Sequence, residues 1–254
     1  MAGDEGRPGE VGGGLAQMSG ARSTPEVRPT PGAETRPASA TPFALNPALV
    51  VPDEAALRGM YSAQTSLAVH KVQRVLDHHA QTFIRRSPFL CIGTQDREGR
   101  ADVSPRGDPP GFVRILDERT LAIPDRPGNN RLDSLTNILG NPSVGLLFVI
   151  PGFDDTLRVC GEASLVTDPE LLETMRVNER LPKLAIVVRV REVFMHCAKA
   201  FRRSHLWDPA HFQDRREMAS LSKIIYDQTG APKSEDEMQR IDADLEEEYK
   251  QSMY

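Results

Sequence analysis

Beyond Pro88 the chain is a succession of short apolar runs separated by polar, glycine- or proline-marked breaks, and this rhythm restricts the folds open to it. Phe89-Leu90-Cys91-Ile92-Gly93-Thr94 is one such run, and the polar Asp96-Arg97-Glu98-Gly99-Arg100 after it reads as a hairpin connection. Further strands are predicted over Ala101–Ser104, Gly111–Leu116, Thr120–Ile123, Val144–Ile150, Thr156–Val166 and Leu184–Ala198. Short helices are expected between them, over Leu132–Leu139, closed by Gly140 and Pro142, and over Pro169–Arg176. Strands this short, with only small helices between them, favour a closed or half-closed barrel over a parallel doubly wound sheet. The expected class is therefore mainly β with flanking helices.

The flanks have other periods. Before Phe43 lie eight of the 19 glycines, six of the 20 prolines and no aromatic residue. Such a segment cannot bury enough apolar surface to offset its ordering entropy, so a disordered tail is expected over 1–45. Residues 46–87 read as a helical extension. In it Val69, Val72, Val75, Leu76, Phe83 and Ile84 recur at three- and four-residue steps and predict one amphipathic helix from about Ser66 to Arg85. The barrel is drawn over 88–207, and 208–254 turns helical again. Asp208 is placed to cap a segment beginning with Pro209 that carries Phe212, Leu221, Ile224 and Ile225 on one side. Ser234-Glu235-Asp236-Glu237 has the spacing of a capping box, ahead of a stripe formed by Met238, Ile241, Leu245 and Tyr249.

Candidate chemistry concentrates in Ala101–Arg131. Two apolar segments there each end in an arginine-bearing turn, Ser104-Pro105-Arg106-Gly107-Asp108 and Arg126-Pro127-Gly128-Asn129-Asn130-Arg131. Proline followed by glycine in the second is a type II signature, with φ > 0 expected at Gly128. Guanidinium groups bind phosphate oxygens through charge-assisted, bidentate hydrogen bonds, and Ser or Asn side chains fill the remaining acceptors. Arg106 with Ser104, and Arg131 with Asn130, suit an anion site.

Other classes lack support. A net charge of −5 leaves no electrostatic footprint for nucleic acid or an anionic membrane. No apolar run is long enough to span a bilayer, and no basic segment followed by an apolar core opens the chain, so a cytoplasmic location is expected. Cys91, Cys160 and Cys197 are odd in number and sit in strand-like segments, which predicts reduced, buried thiols. No hydrolase triad string, Walker loop, HExxH, CxxC or GxGxxG occurs, and no metal site is read from the sequence.

The strings SPRGDPPGFV (104–113), IPDRPGNNRLDSL (123–135), LLFVIPG (146–152), LRVCGEA (157–163) and HCAKAFRRSHLWDP (196–209) resemble the pyridoxamine 5'-phosphate oxidase-like family of FMN-binding split β-barrels, in a bacterial subgroup. The resemblance implies FMN at the interface of a homodimer, and an FMN-dependent oxidoreductase acting on a small molecule with a reduced donor. Mapped by motif, Ser104, Arg106 and Gly107 with Arg126, Asn129, Asn130 and Arg131 would hold the phosphate. Val103, Pro105 and Ile123 would lie along the flavin ring. Trp207 matches a segment that approaches the flavin, its alternative role being to plug the barrel end beside the C-terminal helix, and Arg203 or His205 would meet an acidic substrate group or the negative charge of reduced flavin. Ser104–Gly107 stands where true pyridoxamine phosphate oxidases carry a longer basic-ended run, which argues against that substrate. The alternative is a non-enzymatic flavin or haem binder, with His196, His205 or His211 as the axial ligand.

Overall fold

A computed structural model describes residues 43–254 of the chain. The tail expected over 1–45 lies, as far as residue 42, outside the described residues.

Strands β1 (Phe89–Gln95), β2 (Ala101–Gly107), β3 (Arg114–Asp117), β4 (Thr120–Pro124), β5 (Ser143–Val149), β6 (Thr156–Val166) and β7 (Ala185–His196) form one seven-stranded sheet, ordered β2-β1-β5-β6-β7-β4-β3. Every pairing is antiparallel, and the edge strands β2 and β3 do not meet, so the barrel is split rather than closed. The period-2 pattern that marks these strands is the pattern of their burial: β1 buries Leu90, Ile92 and Thr94, and β5 buries Val144, Leu146 and Phe148. With Leu121, Ile123, Leu157, Val159, Ile186 and Val188 the apolar ones among these make up much of the main core.

The helices are α1 (Glu54–Gly59), α2 (Ser66–His70), α3 (His78–Arg86), α4 (Asp133–Gly140), α5 (Pro169–Glu173), α6 (Lys199–Ser204), α7 (Leu221–Gln228) and α8 (Glu235–Ser252). The single helix expected from Ser66 to Arg85 is two helices and a bridge. Gln73 exchanges both main-chain hydrogen bonds with Val193 (2.9 and 2.8 Å), and Asp77 then caps α3 by accepting from the Ala80 amide (2.8 Å). Backbone pairing to β7 and a strong N-cap outweigh the helical spacing of Val69 and Val72, which are 51% and 38% exposed. Of these two helices α3 carries the core stripe, Ala80, Phe83 and Ile84.

The segment after Asp208 likewise divides. Asp208 caps a 3-10 turn over Pro209–His211, Asp214 caps another over Arg215–Glu217, and Ser220 caps α7. Closely spaced capping side chains give the backbone repeated alternatives to continuing a helix. The capping box at Ser234 and Glu237 is present and starts α8, which buries Met238. The thiols also differ from expectation: Cys91 and Cys160 are half-buried, because strand alternation turns them off the core face, and Cys197, just past β7, is exposed. Among the described residues no helix is long and apolar enough to cross a membrane.

Candidate functional site

The register of the β1–β2 hairpin sets the first wall of the site. Arg106 pairs with Leu90 and Ser104 with Ile92, so both polar side chains lie on the face where their partners enter the core. Their neighbours Val103, Pro105 and Gly107 face outward, and Val103 is 70% exposed. β2 is an edge strand, the part of a sheet in which a proline such as Pro105 is tolerated.

Arg106 is thereby taken out of water. Burial pushes its guanidinium below the ordinary range, opposed by the charges of Asp125 and Asp102. Its Nη1 donates to Ser104 Oγ and to the Pro105 carbonyl (2.8 Å). Its Nε is buried and has no partner, the one such side-chain atom among the described residues. A buried unpaired donor is costly, which makes it a marker for a missing acceptor. Asp125 is its electrostatic counterpart: burial raises that carboxyl, while Arg106 and Lys183 hold it down.

The second wall runs from Pro124 to Leu135. Gly128 does not take the positive φ expected of it. The reversal instead uses Asn129, whose Oδ1 accepts from the Arg131 amide (3.1 Å), with Asn130 and Leu132 in the left-handed region at φ 57° and 61°. Asparagine supports that conformation through local hydrogen bonding, and here it displaces the turn that Pro127-Gly128 suggests. The reversal leads into α4, whose first turn has no side-chain cap because Leu132 stands at the N-cap. That uncapped turn lines the cavity with its partial positive charge. Below it, Ser134 donates to Asp102 Oδ2 (2.9 Å), tying α4 to β2.

Between the walls is a cavity of about 740 Å³. Val103, Ser104, Pro105, Arg106, Gly107, Arg126, Asn129, Asn130 and Arg131 all line it. Arg131 is exposed and donates to Asp133 (2.7 Å), a contact that raises its already high pKa. Ile123 is fully buried in the core and is not in the wall. Trp207, Arg203 and His205 also lie outside it; the Trp207 indole donates to the Phe153 carbonyl (2.8 Å).

Behind the wall Asp108 joins two lining residues, Arg126 and Tyr254, and the place of Tyr254 in this cluster carries no sequence signal. Arg126 Nε donates to Asp108 Oδ2 (2.6 Å), with side chains only 15% and 2% exposed. The other Asp108 oxygen accepts from the Tyr254 hydroxyl (2.6 Å), whose ring lies against the Arg126 guanidinium, and Arg180 reaches the main-chain oxygen of Tyr254. Asp108 belongs to the SPRGDP string, yet nothing marks residue 254 as its partner. The hydrogen bond to Asp108, with burial and the carboxylate charge, pushes the Tyr254 phenol up, against the pull of Arg126. A raised phenol keeps its contact throughout the range below its ordinary pKa and loses it as pH climbs through the raised value. Tyr254→Phe is expected to cost on the order of 1 kcal/mol of stability at neutral pH. In an absorbance titration, wild type minus variant should show one phenol ionising later than the others; coincident titrations would refute the contact.

Residues 76–197 match the family described as Pyridoxamine 5'-phosphate oxidase. This part of the chain belongs to that family. Solved structures similar to this member of the pyridoxamine 5'-phosphate oxidase-like family include HupZ of Group A Streptococcus, with 18% identity over 48% of this chain and 99% of that one (TM-score 0.40). An FMN-binding protein from Syntrophomonas wolfei shares 11% identity over 46% of this chain and 88% of its own (TM-score 0.35). HutZ, the haem storage protein of Vibrio cholerae, shares 16% over 47% and 93% (TM-score 0.33). Comparison with curated protein sequences finds no match.

Proposed function

We propose that this chain binds FMN in the cavity between β2 and α4 and is an FMN-dependent oxidoreductase acting on a small molecule. The observation that carries the reading is the buried, unpartnered Nε of Arg106 in the wall of that cavity. A phosphate supplies the missing acceptor, and Ser104, Asn129, Asn130, Arg131 and the uncapped first turn of α4 surround the same space with further donors. FMN, when bound, supplies the redox chemistry. The chain's part is to hold the phosphate, to shape the cavity through the Asp108–Arg126–Tyr254 cluster, and to keep water from the buried arginine.

No histidine is among the described residues that line the cavity, which favours flavin over haem, since an axial ligand would have to come from elsewhere. The rim exposes Val103, Leu132 and Leu181. We read this apolar rim as the surface that a second copy covers in a homodimer, the arrangement the family resemblance implies, in a cytoplasmic protein. Pyridoxamine 5'-phosphate is not the expected substrate, given Ser104–Gly107.

The test is to identify the cofactor retained by the purified protein and to add NADH, NADPH or a reduced deazaflavin without oxygen. Retained FMN whose absorbance bleaches with one donor and returns with an acceptor supports the proposal. FMN that no donor reduces leaves a binding protein and overturns the enzymatic half, and a Soret band in place of flavin absorbance overturns both halves.

A further inference from the structure

Away from the cavity, the turn after α6 gathers three metal-ligating side chains. His205 ends α6 as its C-cap in the left-handed region, at φ 51°. Asp208 follows as the N-cap of a 3-10 turn with Pro209 at its start, and His211 closes that turn. Main-chain bonds fix the spacing: the Asp208 amide donates to the His205 carbonyl (3.0 Å) and the His211 amide to the Asp208 carbonyl (2.9 Å). One ligand atom from each residue lies within 4.8 Å of the other two.

The donors are also available. The two imidazoles stack, with centroids 4.2 Å apart and planes 11° apart, and no ring nitrogen of His205 makes a hydrogen bond. His211 Nδ1 lies 3.1 Å from Asp208 Oδ2, while Asp208 Oδ1 accepts from the Ala210 amide (3.0 Å). Both histidines are exposed, so no packing blocks their rings from leaving the stack by rotation about χ1 and χ2. Ligands 2.0–2.1 Å from a tetrahedral ion lie about 3.3 Å apart, and each imidazole must point its in-plane nitrogen at the ion, so binding opens the parallel stack and makes the two rings converge.

We infer that His205, Asp208 and His211 form a binding site for a late first-row divalent cation, zinc in the first instance. Two imidazole nitrogens and one carboxylate oxygen suit zinc, copper, nickel or cobalt, whereas magnesium and calcium require oxygen donors. Three ligands leave a position to water, and the bound ion pins the end of α6 to the turn that follows it. The sequence reading offers His205 and His211 only as alternative haem ligands; that they meet each other and Asp208 follows from the left-handed C-cap at His205.

The chain contains its own reporter. Trp207 is its only tryptophan and lies between two of the ligands in sequence. The experiment uses the full chain with any affinity tag removed and metals stripped by a chelator, so it does not depend on the flavin. Zinc is titrated calorimetrically, and nickel or copper by quenching of Trp207 fluorescence. The expected result is saturation at one equivalent per chain, no response to magnesium or calcium, and a loss of affinity of more than about tenfold in His205→Ala and in His211→Ala. Because both side chains are exposed, the variants should keep the wild-type melting temperature. No zinc binding by the wild type overturns the proposal. So does saturation that survives in the His205→Ala/His211→Ala double variant, which would place the metal elsewhere.

Discussion

Arg106→Ala is expected to weaken FMN binding by about 2–3 kcal/mol, or roughly 30- to 150-fold, without destabilising the protein that lacks FMN. The two halves of this result have one cause. In the folded chain Arg106 is held on the core-facing side of an edge strand by the pairing of β1 with β2, and its Nε is buried with nothing to donate to. That donor gains its full worth only when an anion arrives, and until then it is a cost to the fold. Removing it therefore lowers affinity while the melting temperature of the flavin-free protein stays level, relief of the unpaired donor offsetting the lost Nη1 bonds and the lost charge beside Asp125. Arg106→Lys keeps the charge and loses the planar fork, so it should fall between the two. Titration of the flavin-free protein by calorimetry, with melting curves of the same samples, reads both quantities. Unchanged affinity would remove Arg106 from the phosphate site. A marked loss of stability in the flavin-free protein would make it a structural residue instead.

What the sequence could reveal follows from how local each signal is. The strands were legible because their alternation is written residue by residue: Leu90, Ile92 and Thr94 are buried, and Phe89, Cys91 and Gly93 are not. Period-2 burial needs no knowledge of the rest of the chain. The break in the expected 66–85 helix was not legible, since valines at three- and four-residue steps imitate a helix face while the decisive event is a backbone bridge from Gln73 to Val193, 120 residues away. The site divides along the same line. Ser104, Arg106, Asn129, Asn130 and Arg131 share two contiguous strings, and the structure brings both strings to one cavity. The Asp108–Tyr254 bond joins residues 146 apart, and no pattern near either end announces it. Gly128 misled for a different reason: Pro-Gly permits a type II turn, but Asn129 offers the competing local hydrogen bond that the chain uses. Trp207, Arg203 and His205 were placed near the flavin by resemblance, and within one chain they stand apart from the cavity.

Gly161→Ala is expected to be the most destabilising single substitution of a small residue in the sheet. Gly161 lies where β6 and β7 slip register: Cys160 faces Glu192, but Gly161 faces Val190, leaving Arg191 without a partner across the strand. Its φ is not positive, so the requirement for glycine is one of space and not of conformation. A methyl group built there would overlap the carbonyl oxygen of Arg189 and come within 3.0 Å of both its carbonyl carbon and Val188 Cγ1. Backbone cannot swing aside as a lysine tip would, so relief requires β7 to move away from β6 along the longest pairing in the sheet. The cost belongs at the upper end of the overpacking range, about 3 kcal/mol, which lowers the melting temperature by about 10 °C in a domain of this size. Gly145→Ala is the matched control, in the neighbouring strand β5, where the added carbon meets nothing within 4 Å and the unfolded chain loses freedom. Differential scanning calorimetry of the two variants should separate them by most of that interval. If they melt together, the bulge absorbs the methyl group, and the close approach of the two strands at Gly161 is not what sets the register of β7.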